Sequence, residues 1–444
     1  MVQESTGKVM FVRDPVLGSI RLSKLQEELL KTVEVQRLSF IHQLGTTFQS
    51  YPGAHCMRLS HALGVSSLAG RIGRAVIPPS DDAASQIDLL EAAGMLHDIG
   101  HTPWSHTLEP LYIELTGGDH MDLVASLVNG ASRMSIPGSG RIPEILERHG
   151  VDPEDVAALI QSSYTGPRYL QQVIFGEVDA DMLDYLQRDF HFTGVAYGHI
   201  EVDRIISTMT IADGELVFLN KALDAVRDFL LARLQMYSSV YLHKKTRIVD
   251  QMLLRAARRS IVDLGEIGSF HEQTDDELLS FLVKESSDPW VRDMAWRVKY
   301  RQNLFTQVFR IDAASRSSDE ETFLIQLRGL GGTPAEAAAR LEREIGAKAG
   351  APPGSILVDL PLEAVKVSEE RFEKTSIRFL TPSGSLVTLS ELDPPFSRYL
   401  ADAKPNRSLL SVSCSPEYRE AVRDACGKVL SEAAIPLFKG MDLD

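Results

Sequence analysis

From about residue 20 to residue 310 the apolar positions recur mostly at helical spacing. Between Cys56 and Val76, the residues Met57, His61, Val65, Leu68, Ile72 and Val76 follow one another at steps of three or four. This traces one inward stripe and points His61 into the core. A second helix is predicted to start at a Ser80 cap, with Asp81 and Asp82 in its first turn, and to run through LLEAAGMLHD to a stop at Gly100. The pair His97 and Asp98 lies at its end. The stretch from Lys221 to Asp263 is the longest uninterrupted helical pattern, with nothing in it to break a helix. Thr333, Pro334 and Glu336 supply a side-chain cap, a proline at the first helical position and a glutamate at the third. After GAPPGS at 350–355 the period changes. SILVDL, SIRFL and SLVTL read as short strands, the last two joined by the turn residues TPSG, and Ser415 to Glu432 reads as a capped helix. The pattern predicts a mainly α protein, with a helical domain and its N-terminal segment over 1–345 and a small α+β module over 346–444.

Composition narrows the class. The chain has 444 residues, enough for two or three cores, with 44% hydrophobic and 24% charged residues, as in ordinary globular proteins. No window approaches the roughly 20 apolar residues that cross a bilayer, so no membrane partner is expected. The start MVQESTGKVMFVRDP lacks the basic opening and continuous apolar core of a secretory signal, and a cytoplasmic location is expected. Cys56, Cys414 and Cys426 are too few and scattered for a disulfide framework or a thiolate metal cluster, and read as reduced core thiols. A net charge of −15 would repel duplex nucleic acid, while a concave basic pocket could still hold a small anion such as a nucleotide.

Histidine changes the picture more. Ten of the twelve histidines precede residue 200, and His97, His101, His106 and His120 crowd into and just beyond HDIGHTPWSH. An adjacent His and Asp at a fraying helix end can splay toward one cation. An inward histidine from the preceding helix and a distant carboxylate would complete a mixed N/O set for a transition metal or magnesium, leaving positions for water and phosphate oxygens. Taken alone, an inward histidine such as His61 is more often a hydrogen-bonded core residue, and His-Asp by itself is a weak signal. Their order and their placement on helices make the stronger case. Further along, Arg233, Tyr237, Tyr241, Lys244 and Arg247 recur at steps of four, four, three and three, which puts cations and aromatic rings on one helical stripe. Arginines suit phosphate oxygens and tyrosines suit stacking; a solvated basic face would give the same spacing.

The order RLSHALGV, MLHDIGHTPWSH, VDADMLDYLQRD and RLQMYSSVYLHK resembles the HD-domain deoxynucleoside triphosphate triphosphohydrolases, as do DPVLGSIRL and VQRLSFIHQLGTTFQSYPGAHCMR before it. The resemblance covers residues 10 to 260 or so. It implies a helical HD core in which His61, His97, Asp98 and Asp181 bind one or more divalent ions, of the set Mg, Mn, Fe, Ni or Zn. It implies a catalytic cluster of His101, His106, Glu109 and His120, in which a metal-held water attacks the α-phosphorus and a histidine protonates the leaving oxygen, while orientation of metal ligands is the alternative duty of His101 and His106. It implies phosphate contacts from Arg58 and Arg233. Gln43, Leu44, Tyr185, Asp189 and Tyr241 would surround sugar and base, with Tyr237 on the same stripe. Products would be a deoxynucleoside and inorganic triphosphate, and the protein would be a homo-oligomer, dimer or tetramer. The alternatives are an HD phosphohydrolase acting on a nucleoside monophosphate or cyclic nucleotide, and a nucleotide-binding sensor without turnover.

The chain departs from the family's pattern at several positions. Met182 follows Asp181 where relatives commonly have a Lys or Arg for phosphate, and a thioether cannot supply that charge. Met121 follows His120 where an acid is usual, and Leu17 stands where a His is common. Lys31 and Ser39 match the acidic residue and arginine that read the guanine of an activating nucleotide, and neither offers the needed acceptors or guanidinium fork. Activation by a guanine nucleotide is therefore expected to be absent or altered. His243 and Lys244 match residues at nucleotide-binding interfaces of the family and could serve an oligomer contact.

Overall fold

The computed structural model describes residues 9–196, 200–261, 263, 270–312, 317–329, 333–360, 376–403 and 408–433. Strands β1 (Phe11–Asp14) and β2 (Gly18–Arg21) pair antiparallel, and Asp14 Oδ1 closes their turn by accepting from Val16 N and Leu17 N at 2.9 and 2.7 Å. Ser23 and Gln26 then exchange side-chain and backbone bonds in a capping box that starts α1 (Lys24–Leu30), followed by α2 (Val33–Arg37). The core of the N-terminal helical part is α3 (Arg58–Val76) against α4 (Ala83–Leu96) and α10 (Ala180–Thr193). Around them run α5 (Glu109–Thr116), α6 (His120–Val128), α7 (Ile142–Arg148), α8 (Pro153–Ile160) and α9 (Arg168–Ile174).

The inward stripe of α3 is as the spacing predicts: His61, Val65, Leu68, Ile72 and Val76 are buried, and Met57 is the N-cap residue. Each fully buried aliphatic side chain contributes roughly 1.5–3 kcal/mol of transfer free energy. Glycines let these helices approach closely. A Cβ on Gly94 would lie 2.9 Å from Ser66 Cα, and one on Gly64 would lie 1.8 Å from Asp184 Oδ1. The start of α4 differs from the expected one, because Asp82 is its N-cap residue, without a side-chain cap bond, while Ser80 offers only its carbonyl to Ala83 N.

Strands β3 (Met209–Ala212), β4 (Glu215–Leu219), β5 (Thr306–Asp312), β6 (Ile356–Asp359), β7 (Arg378–Leu380), β8 (Leu386–Thr388) and β9 (Ser408–Cys414) form two sheets, ordered β3-β4-β7-β8 and β5-β9-β6. The chain separates into two compact units, neither continuous in sequence. The first comprises Met1–Met236, Leu264–Leu278 and Thr375–Pro394, and the second Tyr237–Asp263, Leu279–Lys374 and Pro395–Asp444. A single cut at 345/346 is therefore not how the molecule divides. SIRFL and SLVTL do become strands, but β7 pairs parallel with β4, Phe379 opposite Phe218, so both strands belong to the first unit. In the second unit, β5, β9 and β6 share a core with the helices Pro334–Ala349 and Arg419–Ala433, built on residues such as Ile311, Leu341, Val358, Val412, Cys414 and Val422. The capping box at Thr333 and Glu336 is formed, and all three cysteines are buried free thiols.

The stretch expected to be one long helix is two. After α11 (Val202–Thr208), α12 (Leu223–Met236) passes into a π turn over Tyr237–Tyr241, and α13 (Lys244–Arg259) restarts from His243 in extended conformation, φ −60° and ψ 127°. Leu242 N bonds Tyr237 O across five residues, a spacing favoured here because Ser238, Ser239 and Val240 are poor helix formers in succession. Tyr241 and Lys244 thus lie on opposite sides of the break at Leu242–His243, and the five-residue stripe is not continuous. No helix among the described residues is long and apolar enough to cross a membrane.

Candidate metal centre and catalytic cluster

Three elements converge on one point. From the first turn of α3 comes His61, from the C-cap of α4 comes His97 with Asp98 just after it, and from the first turn of α10 comes Asp181. His61 Nε2 lies 3.0 Å from Asp181 Oδ1 and 3.6 Å from Asp98 Oδ2, and His97 Nε2 lies 3.3 Å from Asp98 Oδ1 and 3.8 Å from Asp181 Oδ1. Ligand atoms of His61, His97 and Asp181 all fall within 4.8 Å of one another. Both rings are fixed by their other nitrogen. His97 Nδ1 donates to Gly94 O at 3.0 Å, and His61 Nδ1 donates to Asp184 Oδ2 at 2.8 Å. His97 Nε2 is then buried with no hydrogen-bond partner, as a nitrogen reserved for a cation would be. Two imidazoles and two carboxylates suit a divalent ion, and the residues fit the metal that HD domains bind.

Electrostatics keep the set charged. Burial works against a proton on His61, but hydrogen bonds to Asp181 and Asp184 and the charge of Asp98 outweigh it and raise the pKa to about 10. Burial likewise opposes ionisation of Asp98, yet Arg58 and the neighbouring histidines hold it well below the usual carboxylate range. Arg58 Nη1 donates to Asp98 Oδ2 at 2.5 Å, and Arg58 Nε to Ser105 Oγ at 2.6 Å. Asp184 is also held down, against burial, chiefly by Arg188. Arg188 donates Nε and Nη2 to Asp184 at 2.7 Å each and Nη1 to Asp14 at 2.8 Å, a fully buried fork between two carboxylates.

Beside this set stands a histidine cluster. Glu109, at the start of α5, accepts from His106 Nδ1 at 2.7 Å and from His120 Nδ1. Burial would raise the Glu109 pKa, but these two bonds hold it well below the usual carboxylate range. His101 stacks on His120 with ring centroids 4.0 Å apart, meets His106 edge-on at 4.8 Å, and places Nε2 3.2 Å from Asp98 Oδ1. Burial, the Arg58 guanidinium and the neighbouring His120 push the His101 pKa well down, which favours a neutral ring. His106 is exposed, whereas His101 is buried. Between them the backbone is strained, because Trp104 (φ 61°) and Ser105 (φ 55°) both occupy the left-handed region at roughly 1–3 kcal/mol each.

The expected substrate residues lie on several elements. Gln43 and Leu44 precede a 3-10 turn, with Gln43 Oε1 buried and unpartnered. Tyr185 and Asp189 lie on α10, Asp189 buried, and Arg233 is buried on α12. Arg58 is engaged by Asp98 and Ser105. Tyr237 and Tyr241 belong to the second unit, their rings edge-on at 5.2 Å. Sequence reasoning missed Asp184 and Ser105. Asp184 had a signal, since it stands three residues after Asp181 on the same helix, the neighbouring position on that face. Ser105 had none, because a left-handed serine is unmarked in sequence.

A helical core with a His, His-Asp, Asp set from the three helices α3, α4 and α10 defines an HD-type metal-binding domain. Residues 58–188 match the HD domain and residues 200–434 match the HD associated region. The chain belongs to the family of HD-domain proteins that carry this associated region. It is 34% identical over 253 residues to the Bacillus subtilis protein YwfO, covering 56% of this chain and 55% of that one. It is 31% identical over 300 residues to the Methanocaldococcus jannaschii protein MJ1154, covering 66% and 59%. To the human deoxynucleoside triphosphate triphosphohydrolase SAMHD1 it is 26% identical over 358 residues, covering 69% and 56%. The chain thus spans little more than half the length of these relatives. Among solved structures it resembles a hypothetical protein from Aquifex aeolicus (25% identity, TM-score 0.70, 94% of this chain and 100% of that one). It also resembles a phosphohydrolase from Bacteroides thetaiotaomicron (25%, 0.66, 91% and 99%).

Proposed function

We propose that the protein is a metal-dependent phosphohydrolase that splits deoxynucleoside triphosphates into deoxynucleoside and inorganic triphosphate. The convergence of His61, His97, Asp98 and Asp181 next to the Glu109-linked histidines carries this reading, supported by similarity to SAMHD1 and to a bacterial phosphohydrolase. Those four residues would hold the divalent ion, which when bound polarises phosphate oxygens and acidifies a coordinated water. Asp184 and the Gly94 carbonyl fix the two ligand rings. Glu109 orients His106 and His120 through their Nδ1 atoms, leaving Nε2 of the exposed His106 free to deliver a proton to the leaving 5′-oxygen. His101 stays neutral and packs this pair against Asp98.

Incubating the purified protein with each dNTP and Mn²⁺ or Mg²⁺ tests the reading. Deoxynucleoside plus triphosphate is the expected outcome, whereas monophosphate plus pyrophosphate, or no turnover, overturns it. With Lys31 and Ser39 in the N-terminal segment, added GTP should leave the rate unchanged, and a large stimulation would refute that part. Hydrolysis of a smaller phosphoester, such as a nucleoside monophosphate or cyclic nucleotide, is the second reading. It is favoured by Met182, whose buried thioether gives no charge to a triphosphate.

A further inference from the structure

The turn that joins the clustered histidines is held by a residue 171 positions further along the chain. Asp275 is buried, and both its oxygens are used. Its Oδ1 accepts from Trp104 N at 2.5 Å, and its Oδ2 accepts from His42 N at 2.8 Å and from His42 Nδ1 at 2.7 Å. The His42 carbonyl in turn accepts the Ser105 hydroxyl at 2.5 Å. Ser105 Oγ accepts from Arg58, whose guanidinium also meets Asp98. One carboxylate therefore secures the backbone of the left-handed Trp104–Ser105 turn directly and the Ser105 side chain through His42. The His42 ring lies parallel to Trp104 at 5.4 Å and against Phe48 at 5.2 Å, which fills the space around these bonds. The segment before Asp275 is fixed as well. Arg37 donates to the carbonyls of His271, Glu272 and Gln273 and, through Nη1, to that of His101 at 2.9 Å. Two successive side-chain-bearing residues in the left-handed region persist only when their surroundings over-determine them, and here the determinant is Asp275.

We propose that Asp275 is a positioning residue for the phosphohydrolase reaction, holding the Trp104–Ser105 turn so that His106 and the Arg58–Asp98 pair take their working places. The inference rests on the function proposed above, and its test has an arm that does not. Asp275→Asn keeps the volume but replaces an acceptor with a donor facing Trp104 N–H or His42. In a Trp290→Phe, Trp296→Phe background, Trp104 is the sole indole of the chain's three. The expected result is a kcat lowered about 100-fold, as for a misplaced reacting group, with KM and bound metal near the parent's and with greater acrylamide quenching of Trp104. Asp275→Glu keeps the charge but displaces the oxygens, and should give intermediate values of both; it carries the test if the asparagine variant fails to fold. Parental kcat together with parental quenching overturns the proposal. So does a loss in which kcat, bound metal and melting temperature fall in parallel, since that marks general support of the fold. Should the parent itself hydrolyse no dNTP, the proposed function fails on its own, and quenching in the metal-free variants alone decides whether Asp275 holds the turn.

Discussion

His61 carries the most consequential charge in the site. Its pKa of about 10 comes from Asp181 and Asp184, so in metal-free protein the ring is protonated at neutral pH. Its contribution to stability is complete below the ordinary histidine value and is lost as pH rises through about 10. A divalent ion requires neutral imidazole, and binding must therefore release a proton. Titration calorimetry with Mn²⁺ in buffers of differing ionisation enthalpy should show about one proton released at pH 7, and less for Asp184→Asn. Asp184→Asn should also weaken Mn²⁺ about 10- to 100-fold by loosening His61; unchanged affinity would remove Asp184 from the site. Glu109 has the opposite sign. Its folded pKa is depressed below 4.5, so its contribution is present above that value and lost as pH falls toward the folded one. The gap in melting temperature between parent and Glu109→Gln should accordingly be wide at pH 7 and narrow at pH 3. At this scale the proposed ligands were legible as candidates, because together they are residue types with few other uses in that order. The residues behind them were less so, since an aspartate on a helix such as Asp184 looks like any other until its partner is in place.

The helices that bring the proposed ligands together depend on the absence of side chains as much as on their presence. Gly64 sits one turn after His61, and a methyl there would collide with the Asp184 carboxylate and the Arg188 guanidinium of α10. Gly64→Ala should cost roughly 1–3 kcal/mol, as overpacked cores do, and should weaken Mn²⁺ binding along with it. A variant with lowered melting temperature and intact metal affinity would place the damage elsewhere. The α3 stripe was plain in sequence because six apolar or ligand positions hold one period. The break after Tyr241 was hidden, since it contains neither Gly nor Pro, and a π turn leaves no punctuation. The start of α4 was misread because Ser80 and Asp82 are both good capping residues two positions apart.

The chain crosses between its two units repeatedly, and local pattern cannot show this. SIRFL and SLVTL looked like neighbours of SILVDL because they follow it, whereas the pairing of Phe379 with Phe218 links residues far apart in sequence. A fragment ending at residue 345, where the periodicity changes, would lack β7 and β8 and leave β4 an unpaired edge. Such a fragment should be poorly soluble and melt well below the full chain by circular dichroism, while a fragment as stable as the whole would contradict the pairing.

The order of synthesis adds a consequence. On a ribosome the last proposed ligand, Asp181, emerges well before Asp275, by roughly 5–20 s at ordinary elongation rates. A nascent chain could thus load its ion while the Trp104–Ser105 turn still lacks its anchor. Metal acquisition and catalytic competence would be separate events in the life of the polypeptide, with the second delayed until the chain has come back to its own beginning.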